Sequence, residues 1–205
     1  ILRTSILKMS GRDLSIREAD KPGHPGIAAI GFPQDDLPPI LVPAVSGLRP
    51  DGFALATAGG NLYIAGRAGR GVVYGVVHLL EKHFGCRKFS PSAEFFPRRE
   101  HLALGALLEA ESPKNEVRIV NGAFADDPEY RDWMRLHDHR EIYARNFYVH
   151  TFQRLVPWTS LFADHPEYFA LVNGRRIIDQ PCLSRPEVFD LVAARLRDEM
   201  AAQPD

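Results

Sequence analysis

Two apolar runs in the second half of the chain, Val117–Val120 and Asn146–Val149, read as short strands, and each is followed by a polar side chain, Asn121 and His150. A residue at the end of a strand can line a pocket. Asn and neutral His each donate and accept hydrogen bonds, which suits a ligand rich in hydroxyls. Trp158 and Tyr168 offer ring faces that can stack on the C–H surface of a pyranose. Arg118 carries a planar fork that pairs with a carboxylate through two parallel bonds, as an acidic sugar would require. His165, three residues before Tyr168, completes a candidate binding set. Each has a plainer account beside it: a backbone-bonded histidine for His150, a turn former for Asn121, and packing for the aromatics. Arg118 lies inside an apolar run and needs a partner if its face is buried. Arg175 and Arg176, next to the Asn173-Gly174 turn, read as solvated charges.

Other chemistries fare less well. His137-Asp138-His139, with His150 and His165, invites a metal. Histidines two apart on a helix face different ways, and no fourth ligand is spaced for zinc, so no metal is expected. Asp126 and Asp127 resemble paired catalytic acids but sit where a helix starts, and capping explains them better. Gly66-Arg67-Ala68-Gly69-Arg70-Gly71 lies between a strand and a helix, where backbone amides can cradle phosphate. It lacks the third glycine of the dinucleotide fingerprint and the Lys-Ser/Thr of the P-loop. A tight strand-to-helix turn is the better account, with a nucleotide-binding domain kept as the weaker alternative. No cofactor is therefore expected.

Composition narrows the partners. The chain has 205 residues and a net charge of −1, which gives no electrostatic footprint for nucleic acid. Its apolar runs are far shorter than the ~20 residues of a membrane span. Cys86 and Cys182 fit no zinc or redox spacing. The burial habit of free cysteine favours two thiols, with a disulfide left open.

The elements that must position these residues fall into two rhythms. A helix over Ile1–Ser10 stops at Gly11; because it opens in mid-pattern, the expectation is that chain precedes it. Leu14–Ile16 and Ile27–Phe32 are strand candidates, and the proline-rich Gln34–Pro50 is a connection. Phe53–Thr57 and Asn61–Ala65 flank Ala58-Gly59-Gly60, which is hairpin chemistry. A helix over Gly71–Phe84 carries the stripe Val73, Val76, Val77, Leu80 and Phe84 and should cover a sheet. Leu102–Leu108 returns as a strand. The polar stretch Glu111–Asn115 marks a boundary, giving an accessory domain over 1–112 and a second domain over 113–205. There, Val117–Val120, a helix opened by Asp126 and running to about His137, Asn146–His150, Tyr168–Val172, and a helix opened by the capping box Ser184-Arg185-Pro186-Glu187 alternate as strand and helix. The apolar face of that last helix is Val188, Phe189, Val192, Leu196 and Met200. Such alternation predicts an α/β chain: an α+β domain with a mixed sheet, then the first βα units of an incomplete TIM-like barrel.

Two groups of residues carry a resemblance. Asp51-Gly52-Phe53-Ala54-Leu55, Leu62-Tyr63-Ile64-Ala65-Gly66 and Arg70-Gly71-Val72-Val73-Tyr74-Gly75-Val76 resemble the small α/β domain that precedes the barrel in α-glucuronidases and β-hexosaminidases. His165-Pro166-Glu167-Tyr168-Phe169-Ala170-Leu171, Asn173-Gly174-Arg175-Arg176 and Gln180-Pro181-Cys182-Leu183-Ser184 resemble an uncharacterised bacterial domain family grouped with those glycoside hydrolases. The resemblance implies a fragment of a glycosidase acting on polysaccharide-derived, uronic acid–bearing sugars, and a secreted or periplasmic setting. It also implies that the catalytic carboxylates come from strands beyond Asp205, so no catalytic residue is expected here. The competing expectation is a carbohydrate-binding domain without turnover.

Overall fold

The computed structural model describes residues 1–16, 28–31, 37–143 and 147–202. They form two compact units, Ile1–Asp138 and His139–Asp205. The chain is mixed helix and sheet, in keeping with the α/β class.

The first unit opens with α1 (Leu2–Ser10), which buries Ile6 and Met9. Gly11 closes it at φ 73°, a left-handed position natural to glycine, with its N–H bonded to Leu7 O at 2.9 Å. β1 covers Ala28–Gly31; Ile27 and Phe32, the ends of the expected strand, lie outside the described residues. After α2 (Val42–Ser46) come β2 (Phe53–Ala58) and β3 (Asn61–Gly66). They are joined through Gly59 and Gly60 at φ 57° and 79°, the two positive angles of a primed hairpin turn. α3 (Gly69–His78) runs into a π-helical turn, Leu79–His83. β4 (Arg87–Lys88) and β5 (Glu94–Phe95) pair as a small ribbon. β6 (Leu108–Glu111) completes a four-stranded sheet of order β1-β3-β2-β6. β1 runs parallel to β3, and the other two pairings are antiparallel, so the sheet is mixed.

Alternation along β2 sends successive side chains to opposite faces. Phe53 and Leu55, with Ile64, meet Tyr74, Val77, Leu79 and Leu80, while Ile6 and Met9 of α1 join the same core. Ala54 and Ala56, with Ala65, meet Leu41, Val45 and Leu48 beneath α2. Each large side chain buried this way contributes about 1.5–3 kcal/mol before entropy is counted. Glycine sets how closely helix and sheet approach: a Cβ on Gly71 would collide with Gly52 O, and one on Gly66 would lie 2.6 Å from Val72 N.

The segment 113–138 belongs to this unit. It holds a 3-10 turn (Ala123–Asp126) and α4 (Pro128–Trp133). Asp127, one residue past the expected cap, accepts from Tyr130 N at 2.7 Å. The helix ends at Trp133 rather than near His137, and Trp133 enters the first core with Nε1 donating to Glu81 at 3.0 Å. Val117–Val120 is no strand. Its backbone is bonded to His137 instead: Arg118 N donates to the His137 ring at Nδ1 at 3.2 Å, and His137 N donates to Arg118 O at 2.7 Å. Leu14–Ile16 also stays unpaired, with Ile16 exposed. The strand expected over Leu102–Leu108 forms later, over Leu108–Glu111, where β2 has free pairing positions.

The second unit holds three one-turn helices, α5 (His139–Ile142), α6 (Phe152–Leu155) and α7 (Trp158–Leu161). A 3-10 turn (Pro166–Tyr168), β7 (Phe169–Val172), β8 (Arg175–Pro181) and α8 (Pro186–Ala201) follow. β7 and β8 form a hairpin closed by Asn173 and Gly174 at φ 50° and 78°. Its core is Leu155, Val156, Phe169 and Val188, with Leu191 and Val192 packed beside it. Phe189, Leu196 and Met200 of the expected stripe are exposed, because the ridge at Val188 and Val192 is the one that meets the core. Arg185, not Ser184, precedes the helix and no side chain caps it, so the expected capping box does not form. Residues 147–150 form a bend rather than a strand, and Asn146 lies outside the described residues. Among the described residues of 113–202 the strands are β7 and β8, which are antiparallel. The parallel βα units of a barrel are not seen there. No helix among the described residues is long and apolar enough to cross a membrane. Cys86 and Cys182 are free thiols.

Candidate functional site

Two places gather the chemistry that the sequence points to. In the first unit Arg118 is the centre of a polar knot. Its Nε donates to Arg135 O at 2.7 Å and Nη1 to Asn115 O at 2.7 Å. Nη2 donates to Asp51 Oδ2 at 2.8 Å and to the Tyr74 hydroxyl at 3.3 Å. His137 Nδ1 accepts from the Arg118 backbone, so the ring proton sits on Nε2, which donates to the same Asp51 oxygen at 2.8 Å. His137 is nearly fully buried, and the Arg118 and Asp51 side chains are 16% and 14% exposed. Burial works against the Asp51 carboxylate. The hydrogen bonds of Arg118 and His137, with the guanidinium charge, outweigh it and hold Asp51 below the usual carboxylate range. Burial pushes the Tyr74 hydroxyl up. Asp51 adopts φ 61°, a left-handed position that a short polar side chain tolerates. With its donors engaged in this way, Arg118 ties the 113–138 segment to the turn before β2 and to α3. The chemistry of the knot is that of a clamp.

The second place is the segment from α7 to β7. Trp158 stands on α7 with 44% of its surface exposed. His165 N donates to Leu161 O at 2.8 Å, which closes that helix and turns the chain. The His165 ring then stacks on Tyr168, with centroids 4.6 Å apart and planes 10° from parallel. Glu167 Oε1 lies 3.2 Å from His165 Nδ1. Its own backbone amide, against a small burial cost, and then His165 hold the Glu167 carboxylate below its usual range. Cys182 N donates to Tyr168 O at 2.7 Å and fixes the turn against the far end of β8. His165 is exposed and Tyr168 is half-buried, so a surface aromatic pair with an ionised carboxylate sits a few residues from an exposed indole.

The six candidates therefore separate. His165 and Tyr168 are brought together, and Trp158 shares their segment. Arg118 is held in the knot of the first unit. Asn121 is exposed on the extended chain before the 3-10 turn, and His150 is exposed at φ 55°. Neither ends a strand. Three residues of the knot, Asp51, Tyr74 and His137, were not seen as partners of Arg118 in the sequence; an apolar-flanked arginine that needs a buried partner was the available signal. Asp127 caps α4, while Asp126 ends the 3-10 turn before it. Arg67 of the glycine loop donates to Leu48 O at 2.6 Å and its backbone to Gly52 O at 3.1 Å, so the loop is packed as a strand-to-helix turn. Among the described residues, His78, His83 and Glu109 bring three donor atoms within 4.8 Å of one another.

No curated protein and no solved structure matches the chain. Residues 88–205 match a protein family described as a domain of unknown function, DUF4838. That match takes in the aromatic segment, the β7–β8 hairpin and α8, and it spans more than half of the chain, which therefore belongs to this family.

Proposed function

We propose that the chain is part of a carbohydrate-active enzyme of the glycoside hydrolase kind, and that the segment from Trp158 to Tyr168 binds the sugar. The observation that carries the reading is the stacked His165–Tyr168 pair at the surface, with an exposed indole, Trp158, in the same segment of the chain. Flat apolar rings at a surface, flanked by groups that donate and accept, match the two-sided character of a pyranose. Glu167 and His165 supply hydrogen bonds to hydroxyls at the rim of the pair. The resemblance of the first unit to the domain preceding the barrel of α-glucuronidases and β-hexosaminidases points the same way. In that enzyme a TIM-like barrel would present two carboxylates, one as general acid and one as base or nucleophile. The proposal assigns neither to residues 1–205.

The experiment uses the chain's two tryptophans. Trp133 is 2% exposed and Trp158 is open, so a sugar stacking on Trp158 changes the exposed fluorophore alone. Titration with oligosaccharides, with and without uronic acids, is expected to shift and quench the emission. Trp158→Ala is expected to weaken binding about tenfold, ~1.4 kcal/mol. A panel that leaves emission unchanged, or a variant that binds as well as the parent, refutes the site. Turnover of the same panel separates the enzyme from a binding domain.

A further inference from the structure

We propose that His78, His83 and Glu109 form a binding site for one divalent transition-metal ion of the zinc type, held by two imidazole nitrogens and one carboxylate oxygen. The inference stands apart from the sugar reading and departs from the expectation of no metal, which weighed His137, His139, His150 and His165 alone.

Backbone geometry makes the site. At 3.6 residues per turn, positions five apart point about 140° away from each other around a helix. His78 ends α3, and the next five residues are π-helical, with Phe84 N bonded to Leu79 O. The wider turn brings residues five apart onto one side, and such turns recur at functional sites. Both rings then reach the same acceptor: His78 Nε2 lies 2.8 Å and His83 Nε2 3.3 Å from Glu109 Oε2. Zinc bonds of about 2.0–2.1 Å in a tetrahedron separate neighbouring ligand atoms by about 3.3 Å, and the three ligand atoms here lie within 4.8 Å of one another, so binding draws the two rings together around the ion.

The surroundings suit the role. Glu109 faces the helix from β6, opposite Leu55 in the register. Lys82 Nζ donates to its other oxygen at 2.9 Å. When Nε2 gives its lone pair to a metal, the ring proton moves to Nδ1. For His78 that nitrogen lies 3.6 Å from Glu111 Oε2, a carboxylate placed to receive the proton's hydrogen bond and fix the ring. Phe53 holds the same ring from its other side, at 4.9 Å between centroids. His78 is 7% exposed, while His83 and Glu109 are 23% and 22% exposed, which leaves a side open to water. Two nitrogens and one oxygen with an open position favour zinc, cobalt or nickel over magnesium or calcium.

The full chain, stripped with chelator, is titrated with Zn2+ by calorimetry and with Co2+ by visible absorption. The expected result is one ion per chain and the intense visible bands of low-coordinate Co2+. His83→Gln and Glu109→Gln, at the two more exposed ligand positions, are each expected to weaken binding by about tenfold or more. His101→Gln, at an exposed histidine elsewhere, is expected to leave it unchanged. Far-UV circular dichroism confirms that each variant is folded. Absence of binding, or binding that survives both His83→Gln and Glu109→Gln, overturns the site.

Discussion

The first unit packs its sheet on both faces, whereas the second leans one hairpin and one helix on four buried apolar residues. The first unit also seals its polar groups. Arg118, Asp51 and His137 saturate one another out of solvent, while the second leaves Trp158 and His165 at the surface. The contrast separates two uses of aromatic and charged residues. Buried with partners, they hold segments together. Exposed beside a small core, they are available to a ligand.

Equal truncations in the two cores should break that symmetry most sharply. Phe169→Ala is expected to cost about 3–5 kcal/mol, enough to unfold a unit with so little buried surface, while Leu80→Ala, at about 2–5 kcal/mol, should leave the first unit folded. Hydrogen exchange read separately over each unit checks this, and equal protection loss would remove the distinction. Arg118→Ala comes next, at about 2–4 kcal/mol, because Asp51 and His137 lose a shared partner in a mostly buried site. Denaturant unfolding should show the loss, and proteolysis should then cut within 113–138.

A smaller effect is set by pH. Asp51 is held below its ordinary value of 3.8, so its contribution is fully present above about pH 3.8 and fades as pH falls through the lowered value. Asp51→Asn should flatten the acid limb of the first unit's stability without touching the second unit; an unchanged limb would place the acid sensitivity elsewhere. Smallest is Gly174→Ala, which forces a side chain onto φ 78° at the hairpin tip and should cost about 1 kcal/mol. Thermal unfolding followed by the emission of Trp158 would register it in the second unit alone.

Local chemistry decided what could be read in the sequence. The β2–β3 hairpin was legible because Gly59-Gly60 permits one turn type, and α1 because Gly11 ends it. Asn173-Gly174 carried the same signal. The following Arg175–Pro181 was nonetheless missed as a strand, because its charges mask Ile177 and Ile178. Val117–Val120 and residues 147–150 have strand-like composition, but among the described residues no strand pairs with them, and strand preference is realised only through a partner. The stacked His165–Tyr168 pair lay within view, three residues apart. The meeting of His78 with His83 did not. A five-residue spacing points apart in an α-helix, and nothing in Leu79–His83 announces the wider turn. The knot around Arg118 joins residues from three distant stretches, and no spacing rule connects those.

The acidic edge of the sheet has a consequence for solution behaviour. β6 pairs with β2 on one side, and Leu108 and Ala110 alternate along it with Glu109 and Glu111. Glu109 is held by Lys82 and the two histidines, so a second copy of the chain adding a strand there would confront the more exposed carboxylate of Glu111. The edge thus discourages sheet growth from molecule to molecule. Glu111→Val would remove that barrier, and concentrated solutions of the variant should show it first, as light scattering that rises with time while the parent stays clear.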